Sequence, residues 1–212
     1  MQPACSRCSA PVVSIATEAG GGWSCPEHGP THALWRPTSA SYDALASHLG
    51  RTRGFPTYLP WPMSPGWSVS DLAAVTDGER VRGTLTCVTG TSELDGPVDV
   101  LVVSEEPGTG LGARVAGTPH DDPGLGHFEG QPLVRVRLDQ KQVPLWSVST
   151  SASSGEWDRS VVAGEAFGRW LWIVVRPASA VLLLRDDWIL RDVAPVGPPL
   201  VELPFAGPAP PW

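Results

Sequence analysis

The sequence predicts an α+β chain rich in strands. A small N-terminal module covers residues 1–36. A mainly antiparallel β domain with one to three short helices follows over 37–194, and a proline-rich tail closes the sequence over 195–212. Three observations carry this reading. Short β-branched and aromatic runs recur from Val12 to Val193, separated by Gly, Pro and Asp-Gly steps, which is the punctuation of strands and hairpins. Clear helical periodicity is confined to one short stretch near residue 45. Three of the four cysteines crowd into the first 36 residues, marking a segment held by something other than a large core.

Taken in order, Val12–Thr17 is a β-branched run, Gly20-Gly21-Gly22 reads as a turn, and His32–Arg36 returns as a further strand. Residues 39–49 form a helix. Ser39 or Ser41 caps it, Asp43 suits its first turn and Gly50 ends it. Tyr42, Leu45, Ala46 and Leu49 give it an apolar face at i, i+3, i+4 and i+7. From Gly54 to Trp67 the chain reads GFPTYLPWPMSPGW. Proline fixes φ and removes a donor, so this is an extended, aromatic-rich crossing.

Strands follow at Ser68–Thr76, Arg80–Thr89 and Val98–Ser104, separated by Asp77-Gly78 and Asp95-Gly96-Pro97; Asp-Gly is a hairpin signal. After a Gly/Pro-rich loop at about 107–131, Leu133–Leu138 and Val143–Ser149 read as strands. Ser151–Asp158 reads as loop. A short helix is expected at 160–169, with Glu165 and Arg169 at i, i+4. Trp170–Arg176 and Val181–Arg185 are apolar and read as central strands, with Trp188–Val193 pairing back across Asp186-Asp187. No internal repeat is visible.

Cys5 and Cys8 form one Cys-x2-Cys pair. After sixteen intervening residues Cys25 and His28 form a Cys-x2-His pair. Zn²⁺ takes four thiolate or imidazole ligands in a tetrahedron, and a two-residue gap lets one tight turn aim two of them at the same ion. The spacing therefore predicts a zinc ribbon holding one structural Zn²⁺. Pro26 pre-sets the second turn and Gly29 follows it, and Arg7 is placed to offset the charge of three thiolates. His32 is the alternative fourth ligand. A disulfide needs an oxidising compartment, and a redox Cys-x-x-Cys needs a βαβ context. Four protein ligands close the site, so no catalysis is expected at the metal.

Composition excludes some functions. The net charge is −7, and residues 1–36 balance two Arg against two Glu. Neither gives the basic footprint that nucleic acid or anionic lipid requires. Lys141 is the only lysine and asparagine is absent, a codon signature of high genomic G+C, so the Arg excess is not phosphate recognition. No signal peptide is visible and no apolar run approaches the roughly 20 residues of a spanning helix. The expected location is the cytoplasm.

Other constellations have ordinary explanations. Gly108-x-Gly110-x-x-Ala113 matches a dinucleotide fingerprint only superficially, since Pro107 precedes it and Gly117-Thr118-Pro119 stops its helix. His120, Asp121, Asp122, His127 and Glu129 read as solvated loop residues. Glu105 and Glu106 are adjacent on a strand, face opposite ways and form no dyad. Cys87 reads as a buried apolar residue.

The combination of CSRC, WSCPEHG-x2-H, PWP…GW, EEPGTGLGAR-x-AG, PLWSVS and AGEAFG-x-WLW resembles an uncharacterised family of actinobacterial proteins with an N-terminal zinc-ribbon-like motif. The resemblance runs from about residue 5 to about 193. It implies the Cys5, Cys8, Cys25 and His28 set and brings no activity.

Two functional readings follow. The first is a non-enzymatic binding or regulatory protein that meets a protein partner through Tyr58, Trp61 and Trp67. The second is an enzyme for a small acidic or acyl substrate, using Glu105, the amides of Gly108 and Gly110, and Arg114. The second requires Glu105 and Arg114 to line one concave pocket.

Overall fold

The computed structural model describes residues 2–17, 20–78, 80–124, 130–150, 158–185 and 188–212. The expected loop at 151–157, the turn at Asp186-Asp187, and His127 and Glu129 lie outside these residues.

The elements in chain order are β1 (Ala4–Cys5), β2 (Val13–Thr17), β3 (Gly20–Cys25), β4 (Gly29–Thr31), β5 (Ala33–Trp35), α1 (Tyr42–Arg51), β6 (Tyr58–Pro60), β7 (Ser68–Asp77), β8 (Arg80–Ser92), β9 (Gly96–Glu105), α2 (Leu111–Ala116), β10 (Val134–Leu138), β11 (Lys141–Ser147), β12 (Ser160–Ala166), β13 (Arg169–Arg176) and β14 (Ile189–Asp192). Short 3-10 helices occupy Ala178–Arg185 and Pro198–Glu202. One sheet runs in the order β1-β5-β7-β8-β9-β13-β12-β11-β10-β14-β6, and β2-β3-β4 form a small second sheet. The chain is therefore strand-rich and mostly antiparallel, as expected; β10 and β14 pair in parallel.

The large sheet curls. Its last strand, β6, lies over its middle, where Thr84 Oγ1 donates to Pro56 O and Thr86 Oγ1 donates to Tyr58 O, each at 2.6 Å. Side chains alternate across the central strands. Val98, Val100 and Val102 of β9 and Leu171, Ile173 and Val175 of β13 face the interior of the curl. Leu101, Val103, Trp172 and Val174 face the opposite side, under α2. Both faces are covered, which is why β9 and β13 are near-continuous apolar runs.

The N-terminal module is joined to this sheet by backbone pairing. β5 pairs with both β1 and β7, and Trp35 Nε1 donates to Thr76 Oγ1 at 3.0 Å. α1 is capped by Ser41, whose Oγ accepts from Ala44 N at 3.1 Å.

Several expectations are corrected. Residues 160–169 form β12 and a turn, with no helix. Phe167 and Gly168 both have positive φ, as a tight hairpin demands. Glu165 Oε1 accepts from Gly168 N at 2.7 Å, so this carboxylate closes a turn where a helical ion pair was expected. Val181–Arg185 lies in a 3-10 helix. Ala180 and Leu184 both enter the core while Leu182 between them is 52% exposed; a strand would turn all three to one face. Trp188–Val193 contributes β14, which pairs with β10 and β6. Gly20–Gly22 belong to β3. A Cβ on Gly78 would sit 2.7 Å from Gly21 O, so the backbone of β3 passes close under the β7–β8 turn. Gly50 lies inside α1, and Thr52 caps the helix. The buried face of α1 is Leu45 and His48; Tyr42 and Ala46 are exposed.

Candidate metal centre and aromatic cleft

Two tight turns carry the cysteines. The Arg7 amide donates to Cys5 Sγ and the Glu27 amide donates to Cys25 Sγ, both at 3.4 Å. Each turn thus repeats one local geometry, with the amide two residues on aimed at the first sulfur. The pairing of β3 with β4 puts Cys25 opposite Gly29, which brings His28 back toward the first turn. The ligand atoms of Cys5, Cys8, Cys25 and His28 all lie within 4.8 Å of one another. Cys8 Sγ and Cys25 Sγ are 3.6 Å apart, and His28 Nδ1 is 3.7 Å from Cys25 Sγ and 3.9 Å from Cys5 Sγ.

These distances test the chemistry. A tetrahedron with metal–sulfur bonds of about 2.3 Å has edges of about 3.8 Å, close to the observed values. A disulfide needs about 2.05 Å between sulfurs, and all four cysteines are free thiols. Burial works to raise the Cys5 thiol, but hydrogen bonds from Thr31, the Arg7 and Cys8 amides and Cys25 outweigh it and bring it down to about 7. Cys8 is pushed up to about 12, by burial first and then by its sulfur neighbours. Sulfurs this close cannot all ionise unless a cation joins them. The donor set therefore fits a metal ion.

His32 is outside this group. Its ring is lowered in pKa by burial and bonded by the backbone of Thr109, and its carbonyl accepts from Ser6 N at 3.2 Å. Arg7 does not fold back over the sulfurs; it pairs with Asp121 at 2.7 Å. Beneath the cluster, Trp23 and Trp35 pack edge to face with centroids 5.9 Å apart, and Arg51 stacks on Trp35 at 4.0 Å.

The second expected site does not assemble. Glu105 is fully buried, and its carboxyl accepts from the amides of Leu111 and Gly112 at 2.7 and 3.1 Å. The acceptor at the start of α2 is thus the protein's own carboxyl. Burial pushes this carboxyl up to about 8, against the pull of those two amides. The Gly108 amide donates to Asp122, and Gly110 begins α2 with φ 78°. Arg114 turns the other way, donating to Cys5 O and to Ser9 Oγ. Glu105 and Arg114 thus bond to separate partners, and these contacts do not build the shared concave pocket that the enzymatic expectation requires. Glu106, just beyond the end of β9, pairs with Arg80 and Arg82 and forms no dyad with Glu105.

The concavity lies elsewhere. Pro60, Trp61, Pro62, Met63, Ser64, Trp67, Leu183, Trp188 and Ile189 line a cleft of about 420 Å³. Trp67 and Trp188 meet edge to face at 6.2 Å. Trp67 lies flat over Gly90, where an added Cβ would come within 2.3 Å of its ring. Tyr58 is core; burial first, then Asp192 and Asp139, push its hydroxyl up to about 12.

Sequence reasoning missed Trp188, Met63 and Leu183 in this cleft, which sit together only because β14 pairs with β6. It also missed a buried cluster around Asp71, which is 1% exposed. Arg36 pairs with Asp71 at 2.7 Å, Trp212 Nε1 donates to Asp71 Oδ2 at 2.8 Å, and Arg36 and Arg114 flank the Trp212 ring at 4.2 and 5.0 Å. An acid in the middle of the run Val69–Val75 was the available signal.

The molecule is thus a strand-rich α+β protein with an N-terminal Cys3His cluster able to hold a metal ion, and no described helix is long and apolar enough to cross a membrane. Over residues 1–211 its sequence matches the model of a family of unknown function (DUF6758), and the chain belongs to that family. No curated protein and no solved structure matches it.

Proposed function

We propose that this is a non-enzymatic binding protein of the cytoplasm of a high-G+C actinobacterium. Its N-terminal zinc ribbon holds one structural Zn²⁺ through Cys5, Cys8, Cys25 and His28. Three thiolates and one imidazole in a closed tetrahedral arrangement favour zinc over oxygen-seeking cations. The metal holds the two turns together, and no open coordination position is left for substrate. A protein partner meets the Trp61–Trp67–Trp188 cleft.

One observation carries the reading. The buried acid, the Gly108 amide and Arg114 that suggested chemistry are spent on internal bonds, while the described residues that line the cleft include no titratable side chain. Aromatic rings around an apolar hollow are the composition of a binding hot spot.

The test has two arms. Elemental analysis of reduced protein should give about one zinc per chain, with Cys25→Ala losing it and Cys87→Ala keeping it. Metal-free protein that is fully folded overturns the zinc assignment. For the cleft, Trp61→Ala should abolish capture of a partner while the melting curve stays unchanged. Capture that is indifferent to Trp61 overturns the binding role.

A further inference from the structure

We infer that the cleft recognises a proline-rich peptide in the polyproline II conformation, flanked by a basic residue. This rests on the binding role proposed above and names its ligand.

The cleft and such a peptide are complementary in donors and acceptors. A polyproline II strand makes no internal hydrogen bonds, so its carbonyls are free, and each proline lacks an N–H. Its ideal receptor offers flat apolar surfaces and donors. The cleft offers the rings of Trp61, Trp67 and Trp188. Their three indole N–H groups donate to nothing among the described residues, and none is a buried unpaired atom, so all three reach solvent. Aromatic grooves of this composition are a general solution to proline recognition, because the ligand is already ordered and loses little entropy on binding.

The cleft is also continuous with an interface the chain already makes. Beyond Trp61 and Trp67 the cleft runs on into a groove of about 320 Å³, walled by Pro199, Glu202, Leu203 and Pro204 of the proline-rich tail. That tail lies extended on the sheet, with Val69 N donating to Pro204 O at 2.8 Å and Ala206 N donating to Val69 O at 3.3 Å. One flank of the aromatic segment thus already seats a proline-rich chain. The other flank is the open cleft.

Charge points the same way. Glu202 is the one charged residue among the described residues that line the groove, and the protein carries −7 overall. An arginine at the end of the ligand meets a carboxylate there.

The surface is also preformed. Trp61 N donates to Ile189 O at 3.0 Å, and Trp67 N donates to Ser64 O at 3.1 Å. These bonds fix the backbone that presents the rings, so little ordering cost falls on the receptor.

The test uses the full chain, ¹⁵N-labelled, titrated with a synthetic polyproline peptide bearing an arginine at one end. A Gly/Ser peptide of equal length and charge is the control. Saturable shifts are expected at the indole N–H signals of Trp61, Trp67 and Trp188, and none with the control. Trp61→Ala should weaken binding roughly tenfold or more, as a hot-spot truncation does. Trp188→Phe keeps an aromatic ring and removes the donor, and should weaken binding about fivefold, the worth of one hydrogen bond. It also serves if Trp61→Ala fails to fold. Absence of shifts at millimolar peptide overturns the inference, as does equal response to the Gly/Ser control. Concentration-dependent self-association abolished by Trp61→Ala also overturns it, because a second copy would then own the cleft. The two readings fail separately. If polyproline does not bind while a captured partner still depends on Trp61, only the ligand class falls; if nothing depends on Trp61, both fall.

Discussion

Glu105 permits a prediction whose size follows from the structure. Its carboxyl is displaced from the ordinary 4.5 to about 8, chiefly by burial, with the Gly112 and Leu111 amides opposing. Between those values the native protein keeps a proton that the unfolded chain has released. Stability therefore falls as pH rises, by about 1.4 kcal/mol per unit for one group. His48 acts in the opposite sense. It is lowered from 6.5 to about 4 by burial and by Arg51, so the unfolded chain takes up a proton that the native state refuses, and stability falls as pH drops through that window. From pH 4.5 to 6.5 the two slopes cancel, and from 6.5 to 8 Glu105 acts without its counterweight, costing about 2 kcal/mol. Glu105→Gln isolates the effect. The amide is neutral at every pH, but its NH2 faces one of the two backbone donors, which costs a constant ~1–3 kcal/mol. Urea unfolding of both proteins at half-unit steps from pH 5 to 9 is the assay. The variant should gain about 2 kcal/mol relative to wild type between pH 6.5 and 8. A stability difference that stays constant across that window refutes the reasoning.

Other outcomes follow from the same structure. His48→Gln removes the slope that offsets Glu105 below pH 6.5, so the variant's stability should rise by about 2 kcal/mol as pH falls from 6.5 to 5, where the wild-type protein stays level, with the alkaline side unchanged in the same urea series. Trp212→Ala removes the Asp71 hydrogen bond and the ring between Arg36 and Arg114; it should destabilise by about 2 kcal/mol, less than a fully buried Trp because Trp212 is partly exposed. Gly90→Ala drives a methyl into the Trp67 ring. Because that ring is only half-buried it can tilt outward, so the expected cost is about 1 kcal/mol, with a shift of the Trp67 and Trp188 indole signals and little change elsewhere.

Much of the fold was legible because its signals are local. The Asp-Gly hairpin between β7 and β8, the alternation Val134, Val136, Leu138 in β10, and the Ser41 cap each depend on a few neighbouring residues. The metal cluster was legible for the same reason, since two x2 spacings state which side chains converge. What failed depends on long-range pairing. Glu165 and Arg169 have helical spacing, yet β9 captures Trp170–Arg176 as a strand and β12 follows it into the sheet, with Glu165 closing the hairpin. Leu183 and Trp188 reach the cleft through the 3-10 helix and the parallel β10–β14 pair, neither of which leaves a periodic mark. His48 was unreadable as a buried residue because its burial comes from packing against β7 and from Thr57 Oγ1, 3.1 Å away.

The stretch from Glu105 to Arg114 shows why a reactive-looking motif need not be a reactive site. It holds an acid, exposed-looking glycine amides, a helix start and an arginine, which together describe an anion pocket in sequence. In the fold the acid, the Gly108 amide and the arginine are satisfied from within. Glu105 takes the helix amides, Asp122 takes the Gly108 amide, and Arg114 reaches Cys5 O and the Trp212 ring. The arginine thereby ties the first metal-binding turn to the proline-rich tail, and the same segment joins three parts of the chain. A ligand entering here would have to break bonds already made. At the Trp61–Trp67–Trp188 cleft the balance is reversed, because the rings are only partly buried and their indole donors have no partner among the described residues to displace. Binding there would add apolar burial and exchange indole–water hydrogen bonds for bonds to the ligand without breaking an internal one, which is why the proposed recognition is assigned to the cleft.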